Sequence, residues 1–303
     1  VAYLSAEISA ADIALYEADR PILLGTNAMR PAFADGTTTH RWNQTGSFAT
    51  ADSSASMYGA AYGGDDGSHV LTKPDSAQAA WYYLMGFATG QSFDSLVIIN
   101  HNLGSTSATV VLEIADDSAF TTNLVQLCTV TPSDDSRIVE LELFHTGSVA
   151  RLYSGVEYAR LKITYAGTDT PQLGEVILSQ RLQLSREPAD PYDVRNLRGE
   201  SVLVSSNSGV QTRYVWSKGR RHISARITEV ESSGWYAVAD FFRDDCDYGQ
   251  HPLVWIDAPY TEPEKAAWMH WERAELIGPY DGHEARTFQF SLVEQGPHYQ
   301  ALE

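Results

Sequence analysis

A histidine at the end of an apolar run is a common place for a general base or a metal ligand. This chain carries one in FDSLVIINHNLGSTSATVVLEIADDSAF, residues 93–120. The apolar run stops at Asn100-His101-Asn102, a Gly/Ser/Thr turn follows, and a second β-type run begins. A zinc site at His101 needs further ligands at ordered spacing, and the chain has no HxxxH or CxxC pair. Asparagine tolerates left-handed backbone, and its amide bonds nearby backbone groups. Asn-His-Asn is therefore expected to close a turn, with His101 hydrogen-bonded within it.

Carboxylates occur as adjacent pairs, Asp65-Asp66, Asp116-Asp117, Asp134-Asp135 and Asp244-Asp245. Glycoside hydrolysis needs two carboxyls several ångströms apart across a sugar. Neighbours on a strand point to opposite faces, so adjacent pairs do not give that arrangement. They read as turn starts and helix caps, as in DDSAF, where Asp would cap one turn. No GxSxG elbow, GxGxxG or GxxxxGK[ST] loop occurs. No catalytic residue is assigned, and the chain is not expected to be an enzyme.

Binding chemistry has more material. Sugar recognition needs aromatic faces beside polar groups, and Trp42, Asn43, Tyr58, Tyr62, Asp65 and Asp66 fall together in a Gly/Ser/Thr-rich region, residues 34–74. They are the candidate contacts for a glycan or a neighbouring subunit; the alternative is that Trp42, like Trp81, is core. GGDDGS, residues 63–68, offers two carboxylates, a hydroxyl and carbonyls to a structural calcium, without EF-hand spacing. KGRRH, residues 218–222, is a basic knot in which Lys218, Arg220 and Arg221 could meet an acidic partner, or simply a charged hairpin turn.

These residues need a frame, and its composition is that of a folded protein: 303 residues, 43% hydrophobic and 20% charged. The length suits two domains. Net charge is -18, which disfavours phosphate backbones and anionic membranes as main partners. No apolar run is long enough to span a bilayer, and the start lacks the basic and apolar regions of a secretory signal. Only two cysteines occur, Cys128 and Cys246, and they fall in different expected domains, so neither a disulfide framework nor a cysteine zinc site is expected, as suits a reducing compartment.

Short β-type segments dominate: residues 95–100, 108–115, 125–130, 137–143, 158–165 and 175–184, separated by Gly, Asn, Asp, Ser and Pro. They predict an all-β, antiparallel sandwich with brief helices, one of them at the N-terminus in SAEISAADIAL. Residues 34–74 read as long loops with one or two short strands. The Pro-containing segment LSREPADPYDVRNLRGE marks a boundary, giving domains 1–185 and 186–303. Beyond it, SVLVSSNSGVQTRYVW reads as a hairpin, RRHISARITEV as a strand, GWYAVADFFRDD as a short helix over residues 234–243, and HPLVWIDAP as a strand. In RTFQFSLVE, Phe288, Phe290 and Leu292 would face the core, with Gln289 and Ser291 outward. TEPEKAAWMHWERAELIGPYDG has a Glu-rich helical composition, while HWERAELIGPYDG equally fits a strand plus turn; in a helix Trp268 and Trp271 would share a face.

The first part resembles the galactose-binding-like (discoidin, F5/8 type C) family in FDSLVIINHNL, ATVVLEIADDSAF and YARLKITYAGTDTPQLGEVIL. That resemblance implies a jelly-roll sandwich over roughly residues 22–184, with end loops that bind sugars, lipids or proteins. The second part is similar to tailed-bacteriophage tail proteins, through its hairpin, strand, short helix and closing FxFxLxE-type strand. The likeness implies a tail-tube-like sandwich or barrel, six-fold rings formed by sheet pairing, and DNA that passes through the lumen without specific binding. Together they imply a structural protein of a phage tail tip, a distal tail or adaptor ring that contacts itself and other tail proteins, sits in the virion and is made in the host cytoplasm. The order of the two parts departs from the usual distal tail protein. The alternative is an adhesin or lectin recognising a surface glycan.

Overall fold

In the computed structural model the described residues are 20–25, 38–43, 53–55, 57, 71–135, 137–141, 153–166, 169–184, 188, 197–198, 201–205, 211–215, 220–229, 232–259, 266–277 and 286–294. They form strands β1 (Ile22–Gly25), β2 (Thr38–Asn43), β3 (Ala80–Phe93), β4 (Ser95–Ile99), β5 (Thr109–Ala115), β6 (Val125–Val130), β7 (Ile138–Leu141), β8 (Tyr153–Thr164), β9 (Glu175–Ser179) and β10 (Arg181–Gln183). The second half adds β11 (Leu197–Arg198), β12 (Ser201–Ser205), β13 (Gln211–Val215), β14 (Arg220–Glu229), helix α1 (Ser232–Asp240), β15 (Leu253–Ile256), β16 (Ala267–Ile277) and β17 (Arg286–Glu294). The chain is all-β, and α1 is the one α-helix among the described residues.

The sheets stack in layers. A five-stranded sheet, β2-β3-β8-β5-β6, faces a three-stranded sheet, β7-β4-β9. Their shared core includes Trp81, Tyr83, Leu96, Ile98, Leu112, Leu161, Val176 and Leu178. The other face of the three-stranded sheet, Val97, Ile99 and Ile177, packs on Ile22, Leu24, Val254, Ile256 and Trp268 of a seven-stranded sheet, β10-β1-β15-β16-β17-β14-β11. The far side of that sheet carries Leu23, Ile223, Trp255, Met269, Phe288, Phe290 and Leu292, covered by Val238 of α1 and by Phe241. β4 thus lies between two sheets and is buried along its whole length. An internal strand has no solvent face, which is why SLVII is an unbroken apolar run.

Gln180 divides one expected strand, residues 175–184, into two. β9 pairs with β4, while β10 pairs with β1 in the neighbouring sheet. The boundary expected at 185/186 is therefore crossed by the sheets, because β1 and β10 are bonded into the sheet of the C-terminal strands. Of the sandwich or barrel expected for the second part, the described residues show no barrel: the seven strands form an open sheet ending in the short edges β10 and β11. A barrel has no edge strands, and among the described residues these two edges do not pair.

The segment left open between helix and strand is β16. Its period of two sends Trp268 and Trp271 to opposite faces, Trp268 to the inter-sheet core and Trp271 toward α1's side. Phe288, Phe290 and Leu292 are buried and Gln289 is exposed, as the alternation predicts. The expected helix over 234–243 is α1 at Ser232–Asp240, continued by a π turn at Phe241–Asp245. The long strand β3 was not expected, and the N-terminal helix expectation lies outside the described residues. Both cysteines are free thiols, and burial, with Glu140 nearby, pushes Cys128 up to about 12.

Candidate functional site

The Asn-His-Asn corner is structural. Asn100 takes left-handed backbone, φ 56°. His101 is buried, and its Nδ1 accepts the Leu103 N–H at 3.2 Å. Asn102 ties the corner to a distant loop: its amide donates to Thr170 O at 3.0 Å, and its Oδ1 accepts the Gln172 N–H at 2.7 Å. DDSAF behaves alike. Asp117 Oδ1 accepts the N–H groups of Thr121 and Thr122 at 2.9 and 2.7 Å. These bonds, that from Thr122 foremost, hold its carboxyl below the usual range.

The sequence-derived contacts divide. Trp42 and Asn43 end β2, in register with Tyr83 and Tyr82 of β3. Tyr58, Tyr62, Asp65, Asp66 and the calcium loop 63–68 lie outside the described residues, as does Lys218. Arg220 opens β14 opposite Arg198. Arg221 Nε donates to Glu294 Oε2 at 3.1 Å, while Arg137 Nη2 reaches Glu294 Oε1 at 3.1 Å. Arg221 therefore serves a clasp between the two halves of the chain. No group of three potential metal ligands gathers among the described residues.

Register places a different cluster on the outer face of the five-stranded sheet. One row across the strands is Asn43, Tyr82, Lys162 and Val111; the next is Arg41, Leu84, Arg160 and Glu113; a third sets Gly86, Tyr158 and Ala115 side by side. Arg160 is the centre. Its guanidinium lies 4.7 Å from the Tyr82 ring centroid and 4.3 Å from that of Phe120. Its Nε donates to Glu113 Oε2 at 2.6 Å. Both charged side chains are about nine-tenths buried, so the pair and the rings hold one another in fixed geometry. Tyr82, Tyr158, Lys162 and Arg41 around them remain partly exposed. Sequence reasoning missed this face, although YARLKIT alternates Tyr158, Arg160 and Lys162 with the core residues Ala159, Leu161 and Ile163.

A second feature lies at the seam. A cleft of about 420 Å³ opens between the end of β3, the β9–β10 corner and α1, lined in part by Gln91, Gln180, Arg181, Asp240 and Asp245. Arg181 is held by Asp94, through an ion pair at 3.5 Å and a backbone N–H bond at 3.0 Å. Burial still raises the Asp94 carboxyl, against the Ser95 hydrogen bond and Arg181. Asp240 and Asp244 share Arg243. Burial, with Asp244 beside it, pushes Asp245 up to about 6. Asp245 abuts Gly25, where any side chain would collide with it.

No family model and no curated protein matches this chain. Solved structures do. A chitosan-binding module of a chitosanase/glucanase from Paenibacillus sp. IK-5 is 13% identical, with TM-score 0.38, over 52% of this chain and 98% of the module. A family 32 carbohydrate-binding module of Clostridium perfringens NanJ, solved with galactose, is 8% identical, with TM-score 0.37, over 53% and 99%. A further Clostridium perfringens module, CBM32-5, solved with GalNAc-β-1,3-galactose, is 6% identical, with TM-score 0.35, over 47% and 94%.

Proposed function

We propose that this protein binds a saccharide on the outer face of its five-stranded sheet and performs no chemistry on it. The observation that carries this reading is the Tyr82–Arg160–Phe120 stack locked by Glu113. Sugars present both C–H faces and hydroxyl groups. A half-exposed tyrosine ring offers an amphipathic surface to the former, and fixed charged or amide groups around it orient the latter. Tyr82 and Tyr158 supply the rings, and Lys162 and Arg41 the polar rim. The locked stack lowers the entropy lost on binding, because its groups are ordered beforehand. Glycan-array binding by the full chain tests this. Tyr82→Ala and Tyr158→Ala should each lower affinity about two- to tenfold, the order expected for loss of one aromatic contact worth about 0.5–1.5 kcal/mol. Absence of glycan retention by the intact chain overturns the reading.

One observation favours a second reading, in which the chain is a ring-forming component of a phage tail tip within the virion. β12 and β13 pair only with each other, five residues against five, and join no other sheet among the described residues. An isolated hairpin is marginal in water. A neighbouring subunit could complete it by sheet augmentation. Native mass and negative-stain images of the full chain test this: a ring with a pore supports it, and a monomer at high concentration opposes it.

A further inference from the structure

The outer face of the five-stranded sheet differs in charge from the chain around it, and we infer that its ligand is an acidic oligosaccharide, an inference that rests on the glycan reading above. The whole chain carries 39 acidic and 21 basic residues. Among the described residues in the three rows, Arg41, Arg160 and Lys162 stand against one carboxylate, Glu113, which is already bound to Arg160. Among the described residues Arg41 and Lys162 make no ion pair. The nearest acids along β5 are at its end, where Asp116 is bonded to Asn123 and Asp117 to Thr121 and Thr122.

Two uncompensated cations beside aromatic rings in an acidic protein create a local attraction for anions that the rest of the surface opposes. Lys162 is two strands from Arg41 and two residues along. Strand spacing of about 4.8 Å and rise of about 3.4 Å put their Cα atoms about 12 Å apart. Such a separation lets the two cations meet acid groups on different residues of an oligosaccharide. The acid could be carboxylate or sulfate, since both accept charge-assisted hydrogen bonds from arginine and lysine. A nucleic acid offers anions too, but its continuous phosphate charge meets the repulsion of the whole chain.

The test is calorimetric titration of the full chain at 50 and 300 mM NaCl. Four probes are compared at equal length: a neutral galactose oligomer, a galacturonate oligomer, a sulfated galactose oligomer and single-stranded DNA. At least one acidic saccharide should bind ten times more tightly than the neutral one at 50 mM salt, and the advantage should shrink at 300 mM. The variant Arg41→Gln/Lys162→Gln should lose that advantage and its salt dependence, so that acidic and neutral oligomers bind alike, with the thermal midpoint unchanged. The inference is overturned if the neutral oligomer binds as tightly, if the preference survives in the double variant, or if DNA outcompetes the saccharides. Neutral binding without acidic preference leaves the glycan reading standing. Failure of every saccharide removes both.

Discussion

The charged residues inside this protein differ in how they are compensated, and that difference sets their tests. Arg160 and Glu113 are buried together, so removing one leaves the other desolvated and unpaired. Arg160→Ala should destabilise by about 3–5 kcal/mol in urea unfolding, whereas replacing both by apolar residues should cost much less. Asp245 is the opposite case: no hydrogen bond or ion pair reaches it among the described residues, and its neighbours Asp240 and Asp244 are occupied by Arg243. Its carboxyl rises from 3.8 to about 6 in the fold, so its proton is held more tightly folded than unfolded. Its contribution is then fully present below the unfolded value and lost as pH rises toward 6. Asp245→Asn should stabilise the protein at pH 7.5 by about 2 kcal/mol and change little at pH 3.5, read from denaturation midpoints across pH. The corner at Asn100–Asn102 was legible in the sequence because its bonds are local or mediated by Asn side chains. The Arg160 stack was not, because its partners come from positions 82, 113 and 120.

At the scale of elements, periodicity gave most strands and erred where the chain changes sheet at Gln180. β5, β6 and β17 follow their patterns closely. β16 stayed ambiguous because short apolar runs with charged residues suit either period, and pairing with β15 and β17 decides it. α1 is nine residues, too short to persist alone, so its packing on the sheet maintains it. Phe241, at its end, is buried against that sheet. Phe241→Ala should cost about 3–5 kcal/mol and unfold α1 before the strands, visible as early hydrogen exchange at residues 232–240. The turn after β4 has its own constraint. A side chain at Gly104 would collide with the Asp134 backbone, so Gly104→Ala should lower the thermal midpoint although the site is only half-buried.

At the scale of the whole molecule, the layers bind the halves together. Val97, Ile99 and Ile177 pack on Val254, Ile256 and Trp268, and Glu294 clasps Arg137 and Arg221 across the same seam. A chain cut at 185 would expose that core and leave β1 without β15. Fragment 1–185 should therefore lack the sharp near-ultraviolet signal and cooperative melt of the full chain. A fragment that melts cooperatively near the full-length midpoint would contradict the layered account. Saccharide binding is for that reason best measured on the intact protein.

The sequence by itself determined the β class, the positions of many strands, the corner at His101 and the inward face of β17. Each of these depends on side-chain alternation or on local turn chemistry, both of which act within a few residues. Only the tertiary structure decided that the sheets stack in layers across the expected boundary, that the C-terminal strands form an open sheet, and that Tyr82, Arg160, Phe120 and Glu113 meet. Those outcomes depend on which strands pair and in which register, and pairing between residues far apart leaves no periodic trace along the chain.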